Sequence, residues 1–175
     1  MNVQDQKIIF LDRDGVINKK PPKAQYVTTW REFVFLPGAI EGLQFLTKMG
    51  YDIFIITNQP GIARGMMTEK DLQEINEQFL ERCKKEGVII KKIYYCPHGW
   101  DEGCLCRKPQ PGMLLQASKE FNFDITKTLF IGDDIRDKEA GDAAHCKTLL
   151  VEPDGNLLKI LQSFLFRVSN KKPSH

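Results

Sequence analysis

Short apolar runs alternate with helical patterns along almost the whole chain. The runs are Lys7–Leu11, Asp52–Ile56, Ile89–Tyr95, Thr128–Ile131 and Thr148–Val151, each rich in β-branched and aromatic side chains. Three of them are nearly all apolar, as strands covered on both faces must be. Ile40, Leu43, Leu46 and Met49 recur at helical spacing, with Gly50 where a left-handed cap would fall. Thr68-Glu69-Lys70-Asp71 reads as a capping box, and Leu72, Ile75, Phe79 and Cys83 form the stripe of a second helix that ends at Gly87. Pro111 opens a third helix that runs to about Phe121. Asp154 is placed to cap a fourth, which carries Leu157, Leu158, Leu161, Phe164 and Leu165. The order predicts βα units around a mostly parallel sheet, an α/β fold, with a polar tail from Ser169 to His175 that is expected to fray.

Composition narrows the class. The 175 residues are 42% hydrophobic, which suits one globular domain over residues 1–175 and excludes a solenoid array or a disordered tail. A formal net charge of +2 supplies no field to hold nucleic acid or an anionic membrane, so the expected partner is a small molecule bound at a local site. Met1 to Lys7 is polar and no run of 18 apolar residues occurs, so a cytoplasmic location is expected. Cysteines number five. Cys96, Cys104 and Cys106 crowd into eleven residues, and in a reducing compartment such a cluster reads as metal ligands before disulfides.

Three segments resist the alternating scheme: Asn18 to Leu36, Gln59 to Met67, and Cys96 to Gln110. Each follows or lies close behind a strand, where open α/β sheets gather their ligands. The first strand runs straight into Asp12-Arg13-Asp14-Gly15, two acids at a buried strand's carboxyl end. Thr57-Asn58 ends the second strand, Lys108-Pro109 precedes the third helix, and Gly132-Asp133-Asp134 ends the fourth strand with Asp137 three residues on. A carboxylate nucleophile, a hydroxyl, a lysine and a further carboxylate in this order form a Mg²⁺-dependent phosphoryl-transfer constellation. Separately, Cys96-Pro97-His98 and Cys104-Leu105-Cys106 place one imidazole and three thiols in two close pairs, the set a closed tetrahedral Zn²⁺ site requires. Zinc there would brace a loop, residues 96–106, too short to have its own core. Cys83 and Cys146 read as core thiols.

These elements resemble the haloacid dehalogenase superfamily of phosphohydrolases, with Asp12-Arg13-Asp14-Gly15, Thr57, Lys108 and Gly132-Asp133-Asp134 in its four motif positions. The resemblance covers roughly Ile8 to Val151. It implies a doubly wound sheet with Asp12 and Asp14 at its centre. Asp12 would attack phosphorus to give an aspartyl-phosphate. Mg²⁺ would be held by Asp12, Asp133 and the Asp14 main-chain carbonyl. Asp14 would protonate the leaving oxygen and then take a proton from the attacking water. Thr57 and the Asn58 amide would hold the transferring oxygens while Lys108 adds positive charge. For Asp134 and Asp137 two roles stay open, a metal-bound water or, for Asp137, capping of a helix start.

Within the superfamily the zinc loop running into Arg107-Lys108-Pro109 narrows the resemblance to two groups, the heptose 1,7-bisphosphate 7-phosphatases and the histidinol-phosphate phosphatases. Thr57-Asn58-Gln59-Pro60-Gly61-Ile62-Ala63-Arg64-Gly65 and Pro111-Gly112-Met113 resemble the first. The five-residue gap between His98 and Cys104 resembles the second, and Pro21-Pro22 departs from the first. A sugar bisphosphate carries a second anionic group, which Arg64 and Arg107 could meet, with Gln59 and Asn58 also placed on substrate. Lys19, Lys20 and Lys23 could add charge there, though each alone reads as solvated surface. Histidinol phosphate would need an acid such as Asp101 or Glu102. The intervals from Asp12 to Thr57 and from Thr57 to Lys108 are filled by elements already named, so no large cap domain fits and the site is expected to be open in a monomer. A nucleic-acid 3′-phosphatase would want a basic stripe, and an inactive zinc module would not keep Asp12, Asp14, Thr57, Lys108 and Asp133.

Overall fold

The computed structural model describes residues 6–169. Five strands, β1 (Lys7–Leu11), β2 (Tyr51–Asn58), β3 (Ile90–Cys96), β4 (Leu129–Gly132) and β5 (Lys147–Leu150), form one parallel sheet in the order β3-β2-β1-β4-β5. The strand order reverses at β1, which is therefore central. Successive β1 side chains serve opposite faces, as the two-residue period demands. Ile9 and Leu11 pack with Leu43, Leu46, Leu72, Ile75, Phe79, Leu157 and Leu161, whereas Ile8 and Phe10 pack with Met113, Leu114, Ala117 and Ala140.

Five helices supply those two layers. α1 (Ala39–Lys48), α2 (Glu69–Lys85) and α5 (Leu157–Ser169) cover one face, and α3 (Gly112–Phe121) and α4 (Ile135–Ala143) cover the other. Each fully buried Leu, Ile or Phe contributes roughly 1.5–3 kcal/mol through the apolar area it removes from water. The α2 capping box forms as its sequence requires: Thr68 Oγ1 accepts from Asp71 N at 3.1 Å and Asp71 Oδ2 accepts from Thr68 N at 2.7 Å. None of the helices among the described residues is long and apolar enough to cross a membrane.

Two details differ from the sequence reading. Asp154 does not cap α5. Its backbone is left-handed (φ 58°), its N–H bonds Gly15 O at 2.9 Å, and its Oδ1 accepts from Lys20 N at 2.7 Å. Asn156 takes the capping position, its Oδ1 accepting from Lys159 N at 3.0 Å. The second difference is α4, a helix that no apolar stripe announced. Its buried residues are Asp137, Ala140 and Gly141, and a Cβ at Gly141 would strike the Thr148 hydroxyl of β5. A glycine there lets the helix lie directly on the strand. Of the polar tail, residues 170–175 lie outside the described residues.

Candidate active site

The sheet topology brings the chemistry-bearing residues together at the carboxyl ends of β1, β2 and β4. Asp12 follows β1 directly, its N–H continuing the ladder to Ile131 O at 2.9 Å. The chain then turns at Gly15, whose φ of 94° is open to glycine and whose missing Cβ makes room for the Asp133 carboxylate. Thr57 and Asn58 end β2, and Asp133 follows β4. Lys108 arrives from the segment ahead of α3 and is positioned through its main chain. Asn58 Nδ2 donates to Lys108 O and Asn58 Oδ1 accepts from Lys108 N, both at 3.0 Å.

The Lys108 ammonium is buried, and it donates to Ile56 O at 2.9 Å, lies 2.9 Å from Asp12 Oδ1 and 2.6 Å from Asp137 Oδ1. Burial alone would depress its pKa, and the Asp12 and Asp137 charges more than offset that, holding it above the ordinary lysine value. Asp12 is also raised well above the carboxylate range. Burial is the main cause, Lys108 counters it, and Asp137 and Asp133 add to it. Asp137 therefore belongs to the site as well as to the helix start. It accepts from Asp134 N at 3.1 Å through Oδ2 in the α4 capping box and pairs Lys108 through Oδ1. Asp134 caps α4, accepting from Arg136 N at 3.0 Å, and it also grips the Arg136 guanidinium with both oxygens at 2.8 Å.

Asp14 sits in a cage of donors. Asn18 Nδ2 reaches Oδ1 at 2.8 Å, Gln59 Nε2 reaches Oδ2 at 2.9 Å, and Arg13 Nη2 lies 3.1 and 3.2 Å from the two oxygens. Gln59, expected on substrate, is buried, is not among the pocket-lining residues, and bonds Asp14 and Thr57. Lys20, read from sequence as solvated, is half-buried, with Nζ 2.5 Å from Asp133 Oδ2 and 3.8 Å from Asp134 Oδ2.

Among the described residues, two groups fit metal ions. The carboxylates of Asp12, Asp133 and Asp137 offer ligand oxygens within 4.8 Å of one another, and buried Asp133 Oδ1 has no hydrogen-bond partner. Clustered buried carboxylates with an unused oxygen suit a hard divalent cation. Cys96, His98, Cys104 and Cys106 form the second group. Cys96 Sγ lies 3.6 Å from Cys104 Sγ and 3.1 Å from Cys106 Sγ, and His98 Nδ1 lies 3.5 Å from Cys96 Sγ and 3.2 Å from Cys106 Sγ. A tetrahedron with arms of about 2.0–2.3 Å has edges of roughly 3.3–3.8 Å, close to this spacing. For Cys104 burial works against ionisation, but the Arg107 N–H and the neighbouring thiols prevail and lower its pKa to about 7. Burial pushes the Cys83 thiol up to about 12, as befits a core residue.

A pocket of about 560 Å³ opens above the carboxylates. Asp12, Asp14, Thr57, Asn58 and Lys108 line its floor, residues 20–26 form one wall, and Arg64, Arg107 and Arg136 line it from three other segments. Lys23 is on the wall, whereas Lys19, Asp101 and Glu102 are not among the lining residues. Arg107 donates to His98 O at 3.2 Å; burial first, then the nearby Arg136 and Arg64 charges, hold its pKa below the usual value. Arg136 was not singled out from the sequence, and the only signal for it was its place directly after Asp134-Ile135.

Comparison with known proteins agrees with this geometry. Residues 105–159 match the HAD-hydrolase-like family model. The chain is 43% identical over 145 residues to a D-glycero-α-D-manno-heptose-1,7-bisphosphate 7-phosphatase of Campylobacter jejuni, covering 83% of this chain and 81% of that one. It is 39% identical over 147 residues to a D-glycero-β-D-manno-heptose-1,7-bisphosphate 7-phosphatase of Pseudomonas aeruginosa, covering 84% and 82%. The crystal structure of D,D-heptose 1,7-bisphosphate phosphatase from B. bronchiseptica, complexed with magnesium and phosphate, superposes with a TM-score of 0.81 at 35% identity, covering 90% of this chain and 87% of that one. On these grounds the chain belongs to the D-glycero-D-manno-heptose-1,7-bisphosphate 7-phosphatase family of haloacid dehalogenase-like hydrolases.

Proposed function

We propose that this chain is a Mg²⁺-dependent phosphomonoesterase that removes the 7-phosphate of D-glycero-D-manno-heptose 1,7-bisphosphate through an aspartyl-phosphate on Asp12. The observation that carries the reading is the convergence of Asp12, Asp14, Thr57 and Lys108 at one pocket, with a buried Asp133 carboxylate within 4.8 Å of Asp12, in a chain 43% identical to a named heptose-bisphosphate 7-phosphatase. Asp12, Asp133 and the Asp14 main-chain carbonyl would hold Mg²⁺, which when bound supplies charge neutralisation at the phosphoryl oxygens. Asp12 attacks phosphorus as the bond to the leaving oxygen breaks, and the proton on the Asp14 carboxyl passes to that oxygen. Asp14, now a carboxylate, takes a proton from the water that opens the acyl phosphate. Thr57 holds an equatorial oxygen, while Lys108, whose three N–H groups face Ile56 O, Asp12 and Asp137, adds positive charge as the charge shifts between attacking and leaving groups.

Cys96, His98, Cys104 and Cys106 would hold Zn²⁺, which would brace the segment that delivers Arg107 and Lys108 and take no part in the chemistry. The guanidinium-lined pocket supports a substrate with a second phosphate. Histidinol phosphate is disfavoured because Asp101 and Glu102, the acids that would receive its amine, are not among the lining residues. The test is Mg²⁺-dependent phosphate release from both anomers of heptose 1,7-bisphosphate and from histidinol phosphate, with Asp12→Asn as control. Preference for histidinol phosphate overturns the substrate assignment, and activity in Asp12→Asn overturns the mechanism.

A further inference from the structure

Gln59 is buried, lies one residue beyond the end of β2, and is fixed by its main chain, whose N–H bonds Cys96 O at 2.8 Å. Its side-chain amide spends both hydrogens within the site, one on Asp14 Oδ2 at 2.9 Å and one on Thr57 Oγ1 at 2.9 Å. This orientation serves Asp14 as a carboxylate: turned over, the amide would set its carbonyl against an acceptor and withdraw a donor from Asp14. A hydroxyl has one proton and two lone pairs, so a Thr57 oxygen that accepts from Gln59 must send its own proton elsewhere. Thr57 lines the pocket, so that proton is available to a phosphoryl oxygen bound there.

We infer that Gln59 is a positioning residue that couples the two halves of the reaction, aiming the Thr57 hydroxyl proton at the transferring phosphoryl group and holding the Asp14 carboxyl at the leaving oxygen. The inference rests on the roles proposed above for Asp14 and Thr57. Arg13 and Asn18 also hold Asp14, but Gln59 alone among its donors bonds Thr57 as well.

The test compares Gln59→Met and Gln59→Glu with wild type on two substrates, the heptose bisphosphate and an aryl phosphate whose phenolate leaves without needing a proton. Methionine fills the space and donates nothing. Glutamate matches the shape of glutamine but turns acceptors toward both partners: it takes the Thr57 proton away from the phosphate and repels Asp14. General acid catalysis is worth roughly 10²–10⁴-fold, so partial misplacement of Asp14 in Gln59→Met is expected to lower kcat on the heptose ester about 10–100-fold and on the aryl ester severalfold less. The Gln59→Glu variant is expected to be the worse of the two on both esters and to bind inorganic phosphate more weakly than wild type. Equal losses on the two esters, or a glutamate variant milder than methionine, would reduce Gln59 to a packing role and overturn the inference. Asp14→Asn separates the two levels of the argument. If it too shows no dependence on the leaving group, the acid assignment fails and the coupling fails with it; if it does while Gln59→Met does not, only the coupling fails.

Discussion

Replacing Lys108 by methionine keeps most of the aliphatic stem and removes the ammonium that serves both Asp12 and Asp137. That ammonium is 2.9 Å from Asp12, 2.6 Å from Asp137 and 2.9 Å from Ile56 O, all in a buried setting. Removing one partner of a buried ion pair costs about 3–5 kcal/mol, because the other charges stay buried and unpaired. Against a total stability of about 5–15 kcal/mol, that is a large fraction. Urea unfolding in Mg²⁺-free buffer should show the loss, and Asp137→Asn in the same background should recover part of it, giving a coupling energy of about 1–3 kcal/mol. Acidification supplies a check of definite sign. The folded-state pKa of Asp12 is raised, so protonation stabilises the fold; that contribution is full below the unfolded value and is lost as pH rises through the folded one. Without Lys108 the pKa rises further, so the deficit should be smaller at about pH 5 than at about pH 8. A Lys108→Met protein as stable as wild type, or losses that simply add in the double variant, would refute the idea that the three charges form one electrostatic unit.

Three further outcomes follow from particular contacts. Cys106→Ser should lose bound zinc by metal analysis, lower the melting temperature and raise KM for the bisphosphate, since the braced loop delivers Arg107 and Lys108. Gly15→Ala should raise the Mg²⁺ concentration needed for half-maximal activity by at least about tenfold, because a Cβ collides with the Asp133 carboxylate and φ 94° strains any side chain. Thr68→Ala should cost about 1 kcal/mol in unfolding measurements through loss of the α2 cap and leave kcat unchanged, as that helix start lies away from the pocket lining.

β1, β2 and β4 were legible as nearly all-apolar runs buried on both faces, β3 and β5 as short runs rich in β-branched and aromatic residues although they lie partly exposed at the sheet edges, and α1, α2 and α3 because their apolar spacing and caps agree. Helix α4 was not legible. Its sequence from Ile135 to Ala143 has charged residues where a stripe should be, and it packs through alanine and glycine instead. Among the site residues, those that end a strand or precede a helix were found by position: Asp12, Asp14, Thr57, Lys108 and Asp133. For Asp137 the sequence offered a metal-bound water or a helix cap, and its pairing with Lys108 was hidden because that lysine is distant in sequence. Gln59 belongs to the Thr57–Gly65 stretch on which the resemblance rests, and only the fold shows its amide turned to Asp14 and Thr57. Asp154 looked like a helix cap because acid and helix are adjacent in sequence, whereas its bonds run to Gly15 and Lys20.

The claim on which the rest depends is that Asp12 takes the phosphoryl group before water does. The stereochemical course at phosphorus, followed with a phosphorothioate ester of the heptose that carries two oxygen isotopes and is hydrolysed in water of the third, tests it directly. Two successive in-line displacements, first by Asp12 and then by water, predict net retention of configuration. Inversion would mean a single direct attack by water and would contradict the covalent role of Asp12.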